Sequence, residues 1–553
     1  MYKKLLVLFL LFTVKFTFAQ VTPSLITVDS AVTKITKTKS FYVKNPSNKV
    51  IQITNIRTLL SQFTFTTNPF NINPFNINPF DSVQVTINFK TNQNITYRDF
   101  FIFENKGLKY PLVYYVVATA KYPDVLYAFT QGLIDEPLKT ALRTFTTSGY
   151  ITLGYDVARD KMFETVDDYG SDTIECVYIG RKIKAANRTI AQNQNFNTEH
   201  TLPQSVFSSN DPMVSDLFHL YPTDAAPNSA RSNYAFGLPI TNITYNVGGS
   251  KLGKDFQGDT VFEPRDVHKG NVARSLFYFC VKYYNNIGSY MSAKQEGILR
   301  SWNVFDTVDA RERLRNTRIK SFQNVFNPFI DHPEFVDRIR STFTVSNTVL
   351  KPEISASPFN VVYDTLASND TSSYYAAVMN YGTSSLSITS AVSSIPQFIV
   401  ESVPAAVPQS ELRYIKVKFH PTAVNQTYNG VLTIQNSDST ITVNLKGFSN
   451  SQTGVINISG GIPTEFSLMQ NYPNPFNPST KIRFAIPNNV SGKNVMLKVF
   501  DLTGKEVAAL VNGSFHTGFY EVDFDAAGLS SGVYIYRLQA GNFVEQKKLT
   551  VLK

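Results

Sequence analysis

The sequence predicts a chain of several domains, in which a mixed α+β domain lies between all-β sandwiches. With 553 residues the chain is too long for one hydrophobic core, because cores stop growing beyond about 250–300 residues. Apolar and polar residues alternate with the period of a β-strand in residues 20–123, 350–450 and 466–553. Helical periodicity appears between them, around residues 156–166, 271–284 and 309–322, with short strands near 174–183.

The first nineteen residues have the pattern of an export signal. Lys3 and Lys4 precede an apolar run over residues 5–14, and Ala19 supplies a small residue at its exit. We expect cleavage before Gln20. No later segment is apolar for the eighteen or so residues that a membrane-spanning helix needs. The mature protein is therefore expected outside the cytoplasm, secreted or at the cell surface after passing through the periplasm, with no transmembrane segment.

The sandwiches predicted for residues 20–123 and 350–450 are related to each other. Residues 83–105 and 413–436 share the same order of strand, polar loop, aromatic residue and strand. Both segments resemble immunoglobulin-like domains of the abnormal-spindle and hydin type. Neither contains a cluster of metal-ligating or nucleophilic residues, so we interpret them as spacers or protein-contact modules.

Residues 197–237 concentrate the groups that carry chemistry. Glu199 and His200 are adjacent, so a hard oxygen ligand stands beside an imidazole that can accept a proton near neutral pH. Asn228 offers a second oxygen, and carboxylate with amide oxygens favours Mg²⁺, Mn²⁺ or Ca²⁺ over zinc. Arg231 suits a phosphate. The segment also contains Asp216 and His219, for which a supporting role and a purely structural role both stay open.

The spacing of these residues resembles the bacterial secreted endonuclease I family of ββα-metal nucleases. The motifs that carry the resemblance are EHTLPQS (199–205), DLFHLYPTD (216–224) and NSARSNYAFG (228–237), with FEPRDVHKGNVAR (262–274) downstream and YDVARDKMF (155–163) upstream. The resemblance covers about 130–340 and implies a nuclease domain over residues 124–345. By this resemblance His200 is the general base, Glu199 and Asn228 bind one divalent cation, most often Mg²⁺, and Arg231 lies near a phosphate. DNA, and RNA as a further candidate, is the implied substrate.

Other functions fit the sequence less well. A serine hydrolase of the G-x-S-x-G type lacks its motif, and Ser205 follows Pro203-Gln204 without that turn. A zinc peptidase needs H-E-x-x-H, whereas this chain has the order Glu-His without a second histidine in register. The alternative hypothesis is a non-catalytic surface adhesin built of immunoglobulin-like repeats.

Charge and cysteine content add two expectations. The formal charge of +10 does not lie in the nuclease segment, which is nearly neutral, but basic residues cluster at 181–188 and 311–320. Such clusters form either phosphate-binding faces or solvated helix surfaces.

Cys176 and Cys280 are the two cysteines. In an exported protein they either form a disulfide or remain as two buried thiols, and the sequence leaves both alternatives open.

The C-terminal part of the chain is predicted to consist of a linker and a small separate domain. Residues 451–465 are rich in glycine and serine, as in a linker, and residues 466–553 predict a small β-sandwich. NYPNPFNP (471–478) and SSGVYIYRL (530–538) resemble the type A C-terminal sorting domain of the type IX secretion system. This resemblance implies that the type IX machinery is a partner. The fold class predicted for the whole chain is therefore an α+β ββα-metal nuclease domain flanked by all-β sandwiches.

Overall fold

The computed structural model describes residues 24–66, 74–368, 370–450, 455–458, 463–487, 494–515 and 517–553. The predicted export signal and part of the predicted linker lie outside these residues. Among the described residues, no helix is both long enough and apolar enough to cross a membrane.

The first β-sandwich has a five-stranded sheet in the order β1-β8-β7-β3-β5, packed on a three-stranded sheet in the order β2-β6-β4. Alternating apolar residues such as Ile51 and Ile53 point into the core between the sheets, as the strand period requires. The strands are β1 (Ser24–Val32), β2 (Lys37–Lys44), β3 (Ile51–Arg57), β4 (Phe63–Phe65), β5 (Phe75–Ile77), β6 (Ser82–Phe89), β7 (Thr96–Lys106) and β8 (Leu112–Lys121).

The central domain is mixed α and β, as predicted. Its hydrophobic core surrounds helix α5, which is buried over most of its length, and includes the single tryptophan, Trp302. The elements are α1 (Asp135–Thr147), α2 (Tyr155–Lys161), β9 (Thr173–Glu175), β10 (Lys182–Lys184), α3 (Arg188–Gln192), β11 (Phe196–His200), β12 (Leu220–Asp224), α4 (Ala225–Arg231), β13 (Ala235–Phe236), β14 (Thr241–Val247), β15 (Ser250–Lys254), β16 (Thr260–Glu263), α5 (Asp266–Lys282), α6 (Ala293–Phe305), α7 (Ala310–Gln323) and α8 (Pro328–Asp331).

The second β-sandwich follows the central domain. Its sheets run β17-β20-β24-β22 and β18-β26-β25-β21-β23, with β19 also paired to β26. The strands are β17 (Ile354–Ser357), β18 (Asn360–Val362), β19 (Leu366–Ala367), β20 (Ser372–Asn380), β21 (Leu386–Ser393), β22 (Phe398–Ser402), β23 (Ala406–Val407), β24 (Leu412–Phe419), β25 (Thr427–Asn436) and β26 (Ile441–Asn450).

The C-terminal domain is a third sandwich, with sheets β27-β32-β29-β28 and β31-β30-β33-β34. Its first strand lies inside the segment predicted as a linker: the apolar residues of V-I-N-I pair with β32, so 455–458 belongs to the sheet. The strands are β27 (Val455–Ile458), β28 (Ser467–Leu468), β29 (Ser479–Ile486), β30 (Asn494–Phe500), β31 (Glu506–Ser514), β32 (Gly518–Asp525), β33 (Gly532–Ala540) and β34 (Phe543–Val551).

The first and second sandwiches pack against each other although the central domain separates them in sequence. Strand β7 carries the run D-F-F-I-F, which is buried on both faces: Phe101 and Phe103 fill the first sandwich's own core, whereas Phe100 and Ile102 face the second sandwich. There they meet an apolar cluster that consists of Ala377, Met379, Leu412 and Tyr414. The two sandwiches therefore share a small hydrophobic core.

Polar contacts complete these domain junctions. The guanidinium of Arg57 donates to the carbonyl of Ala356 at 2.5 Å, and Tyr375 N donates to Lys109 O at 2.8 Å. At the other junction, Arg338 at the end of the central domain donates to Asn94 Oδ1 of the first sandwich at 2.5 Å. The first sandwich therefore holds both the second sandwich and the central domain.

We expect Met379→Ala to lower the free energy of unfolding of the sandwich pair by about 2–5 kcal/mol, because it leaves a cavity in the shared core. The measurement is thermal and denaturant unfolding of the full chain. Val392→Ala, in the same sandwich but 56% exposed, is the control and should leave the transition almost unchanged. Equal effects from the two variants would contradict a buried junction.

Candidate active site

Strands β11 and β12 and helix α4 form a ββα unit. The strands pair antiparallel, from Phe196 opposite Asp224 to His200 opposite Leu220. Helix α4 begins directly after β12, and Pro227 fits its first turn, where the missing N–H removes no helical hydrogen bond. Backbone N of Ala225 donates to Asn195 O at 2.8 Å, which ties the start of the helix to the start of β11.

The other end of α4 is tied to the other end of β11. Arg231, the last residue of the helix, donates from Nη2 to the carbonyl of Thr201 at 2.6 Å. Asn228 lies between these two ties and is partly exposed. The unit therefore places Glu199 and His200 on β11 and Asn228 on α4, and it brings Arg231 at the end of that helix into contact with Glu199.

Glu199 and Arg231 form a buried ion pair. Oε1 of Glu199 is 3.4 Å from Nε of Arg231, and both side chains are at most 3% exposed. Burial raises the pKa of Glu199 above its usual value, while the guanidinium and the nearby Tyr178 hydroxyl oppose the rise. Arg231 also donates to the Tyr290 hydroxyl at 3.1 Å. In the structure Arg231 thus acts as the counterion of Glu199, and its contact with a phosphate stays a prediction.

His200 lies beside this pair at the end of β11 and is 5% exposed. Burial lowers its pKa well below the usual value, the imidazole of His219 adds to the lowering, and the Val214 carbonyl opposes it. The ring of Tyr155 packs on it with centroids 5.4 Å apart. His200 is therefore a neutral imidazole at neutral pH, which is the form that accepts a proton.

His219 and Asp216 lie behind His200. The His219 ring is 5.3 Å from the His200 ring, and its Nε2 is 2.8 Å from the carbonyl oxygen of Met213. Asp216 caps the turn before His219 and accepts hydrogen bonds from Lys282 at 2.8 Å and from the hydroxyls of Tyr278 and Tyr283 at 3.0 and 2.8 Å. These contacts are those of a buried framework, which favours the structural role for both residues.

The Glu199 carboxylate is buried without a full set of hydrogen bonds. Its Oε1 lies 3.4 Å from Arg231 Nε in the ion pair, but it accepts no hydrogen bond of good geometry among the described residues. Buried polar atoms are rarely left unpaired, so such a group marks a place for water or an ion. The described residues contain no cluster of three His, Cys, Asp or Glu side chains suited to a metal. A cation held here would therefore take Glu199 and Asn228 as its protein ligands and complete its shell with water and substrate oxygens, as Mg²⁺ commonly does.

Arg159 is a cationic residue near His200 that the motifs contained but did not assign. Its Nε donates to Thr198 Oγ1 on β11 at 3.1 Å, its guanidinium lies 5.0 Å from the centre of the Tyr155 ring, and its charge contributes to lowering the pKa of His200. Gln204 was missed as well, although its amide lies 3.1 Å from the His200 ring. Gln204 stands four residues after His200 in the motif EHTLPQS, and this spacing was the signal available for it. Arg159 lies in the upstream motif YDVARDKMF, about forty residues before Glu199, where nothing in the local sequence pointed to His200.

The arginines of the two basic clusters, 181–188 and 311–320, mostly form ion pairs and hydrogen bonds within the protein. In 181–188, Arg181 pairs with Asp224, and Arg188 contacts Asp156 at 2.5 Å. In 311–320, Arg311 and Arg318 donate to the carbonyl of Asp168 at 2.7 and 2.8 Å. These arginines are therefore held by contacts within the protein.

Arg315, in the second of these clusters, supports the site from behind. It pairs with Asp167 at 2.9 Å and donates to the carbonyls of Leu217 and Leu220. The last of these carbonyls belongs to the first residue of β12, so Arg315 fixes the strand that pairs with Glu199 and His200.

The two cysteines are free thiols, both buried. Sγ of Cys176 accepts a hydrogen bond from Asp224 N at 3.1 Å, and Cys280 lies in the core on α5. Of the two alternatives, the structure therefore has the pair of buried thiols rather than a disulfide. His268 on α5 is also buried, with its ring 4.8 Å from the ring of Tyr221, because this helix is buried even at most of its polar positions.

Comparison with known proteins agrees with this geometry. A sequence model described as Endonuclease I matches residues 138–334, and one described as a secretion system C-terminal sorting domain matches residues 470–552. The chain is 32% identical to an extracellular ribonuclease of Bacillus subtilis over 39% of this chain and 78% of that protein. It is 29% identical to an extracellular deoxyribonuclease of Aeromonas hydrophila over 22% of this chain and 50% of that protein.

Fold and site together define a secreted or cell-surface nuclease with a ββα site, carried between β-sandwiches and followed by a type IX sorting domain. The chain belongs to the endonuclease I family. The predicted family, fold class and location are confirmed, and the adhesin hypothesis loses its support.

We expect Lys282→Met to lower the free energy of unfolding of the central domain by about 3–5 kcal/mol, because it leaves the Asp216 carboxylate buried without its counterion. In the native protein burial raises the pKa of Asp216, but Lys282 outweighs this effect and holds it below the usual value. The measurement is denaturant unfolding, and the exposed Lys320→Met on α7 is the matched control. A loss no larger than that of the control would show that the pair does not stabilise the domain.

Proposed function

We propose that this protein is a metal-dependent endonuclease that hydrolyses phosphodiester bonds of DNA and RNA with little sequence preference. The observation that carries the proposal is the ββα unit, in which the buried Glu199 and His200 lie at the end of β11 and Asn228 lies on α4, the helix whose last residue is tied to that end of the strand. Relatives named as a ribonuclease and as a deoxyribonuclease support both substrates.

His200 is the general base in this proposal. A neutral imidazole takes a proton from water as the water oxygen attacks phosphorus, a contribution typically worth about 10²–10⁴ in rate. Tyr155 and the β11 backbone hold the ring in place. Since the oxygen that leaves is the 3′ oxygen, the product carries a 5′ phosphate.

Glu199 and Asn228 hold the cation, and Arg159 provides positive charge beside the base. When bound, a divalent cation, with Mg²⁺ preferred and Mn²⁺ or Ca²⁺ as alternatives, neutralises charge that develops on the phosphate and on the leaving oxygen. In this proposal the cation, His200 and Arg159 all act on the phosphate and no residue is assigned to a base edge, which is why little sequence preference is expected.

The first test is cleavage of supercoiled plasmid and of a structured RNA by the purified full chain, with Mg²⁺, Mn²⁺ or Ca²⁺ and with a chelator. We expect cleavage of both with a cation and none with the chelator. End-labelling should find 5′ phosphate. Intact plasmid and intact RNA with all three cations would exclude the proposed reaction.

A second test separates the base from the metal ligands. We expect His200→Ala to lower kcat by about 10²–10⁴ while the protein still binds the cation and DNA. Glu199→Gln and Asn228→Ala should instead weaken cation binding, measured by calorimetry with Mn²⁺ and by the metal concentration at half-maximal rate.

The control for this second test is His420→Ala, which changes a histidine of the second sandwich and should leave both quantities at wild-type values. Near wild-type cleavage by His200→Ala would show that another group, with His219 the nearest imidazole, is the base.

A further inference from the structure

The side chain of Gln204 lies against the imidazole of His200, and contacts with Ser209 hold it there. It opens the short 3₁₀ turn Gln204–Val206, four residues after His200, and its Nε2 lies 3.1 Å from Nδ1 of His200. Its Oε1 accepts a hydrogen bond of 3.2 Å from the hydroxyl of Ser209. Ser209 N also donates to the Gln204 carbonyl at 3.0 Å. The amide oxygen is thus turned toward Ser209 and the amide nitrogen toward the imidazole.

The orientation of the Gln204 amide determines which ring nitrogen of His200 carries the hydrogen. An amide NH₂ group donates hydrogen bonds and does not accept them, so Nδ1 of His200 must be the accepting ring nitrogen. A neutral imidazole with its lone pair on Nδ1 carries its hydrogen on Nε2. Nε2 is buried, whereas Nδ1 is covered by the half-exposed side chain of Gln204. The nitrogen with the lone pair is therefore the one on the side of the partly exposed Gln204 side chain.

We propose that Gln204 is a positioning residue that keeps His200 in the Nε2–H form, so that Nδ1 is the nitrogen that receives the proton. Its role in the reaction rests on the proposed function, whereas the form of the imidazole can be measured independently. In the reaction the amide gives up its place on Nδ1 to the attacking water. One water proton passes to Nδ1, the water oxygen bonds to phosphorus, and the P–O3′ bond breaks with its electron pair on O3′.

The form of the imidazole is tested by ¹⁵N NMR of the full chain with labelled histidine. The His200 signals are assigned as those that disappear in His200→Ala. We expect the ¹⁵N shift of an unprotonated Nδ1 and a protonated Nε2 in the metal-free protein at neutral pH. A protonated Nδ1 would overturn the proposal, whatever the enzymatic activity.

Two substitutions test the consequence for catalysis. Gln204→Glu has the same shape, but its carboxylate accepts a hydrogen bond and should move the imidazole hydrogen to Nδ1. We expect kcat to fall by about 10²–10⁴, with KM unchanged, because the lone pair then faces the interior. Gln204→Ala removes the hydrogen bond without inverting it, and kcat should fall by only about 2–10-fold.

Gln192→Glu is the control for added negative charge. Gln192 is exposed on α3, and its side chain makes no hydrogen bond within the part of the chain that the structure describes. This variant should keep the wild-type kcat and the wild-type NMR signals. Unfolding midpoints equal to that of the control establish that the Gln204 variants are folded.

The outcomes of these experiments distinguish the role of Gln204 from the proposed nuclease function. A Gln204→Glu protein with wild-type kcat and an unchanged His200 spectrum would overturn the role of Gln204 while leaving the nuclease function in place. A wild-type protein that cleaves nothing would overturn the proposed function, and the NMR measurement would still decide which nitrogen carries the hydrogen.

Discussion

The ion pair between Arg231 and Glu199 is the interaction on which the site depends. At 3.4 Å the two charges attract each other by roughly 5 kcal/mol at an effective dielectric constant of about 20. This attraction offsets a desolvation cost of several kcal/mol for each ion, so the pair survives burial without being a large source of stability. Its main effect is geometric. Because Arg231 also holds Thr201 at the end of β11, the same side chain fixes the carboxylate, the strand and the last turn of α4.

The site could be predicted from sequence to the extent that its residues are neighbours along the chain. Glu199 and His200 are adjacent on one short strand, and Asn228 lies on the helix that begins directly after the partner strand, so pairing of the two strands places their segments side by side. The environment of each group could not be predicted. Arg231 is equally suited by its chemistry to a phosphate or to a buried carboxylate, and only the fold around it decides between them.

The arginines of 311–320 show the same limit. They form a basic run in sequence, but the partner of Arg315 is Asp167, almost 150 residues away, and Arg311 and Arg318 donate to backbone carbonyls.

For the sandwiches the sequence contained more information than alternation alone. The run D-F-F-I-F in β7 breaks the two-residue period, and a strand that is apolar on both faces is expected to be buried on both. The sequence of this run does not show which surface covers its second face.

The ion pair also bears on how a cation and a substrate would share the proposed site. Because Arg231 already neutralises Glu199, the pair presents no net negative charge to a cation, and Asn228 adds an oxygen without charge. Protein ligands of this kind attract a divalent cation less than a cluster of free carboxylates does. In the proposed site a phosphate of the nucleic acid would supply the missing negative charge at the same place, so cation and substrate would each favour the binding of the other, and by linkage the effect would be reciprocal. Such a site is most complete when the bond to be cut is present.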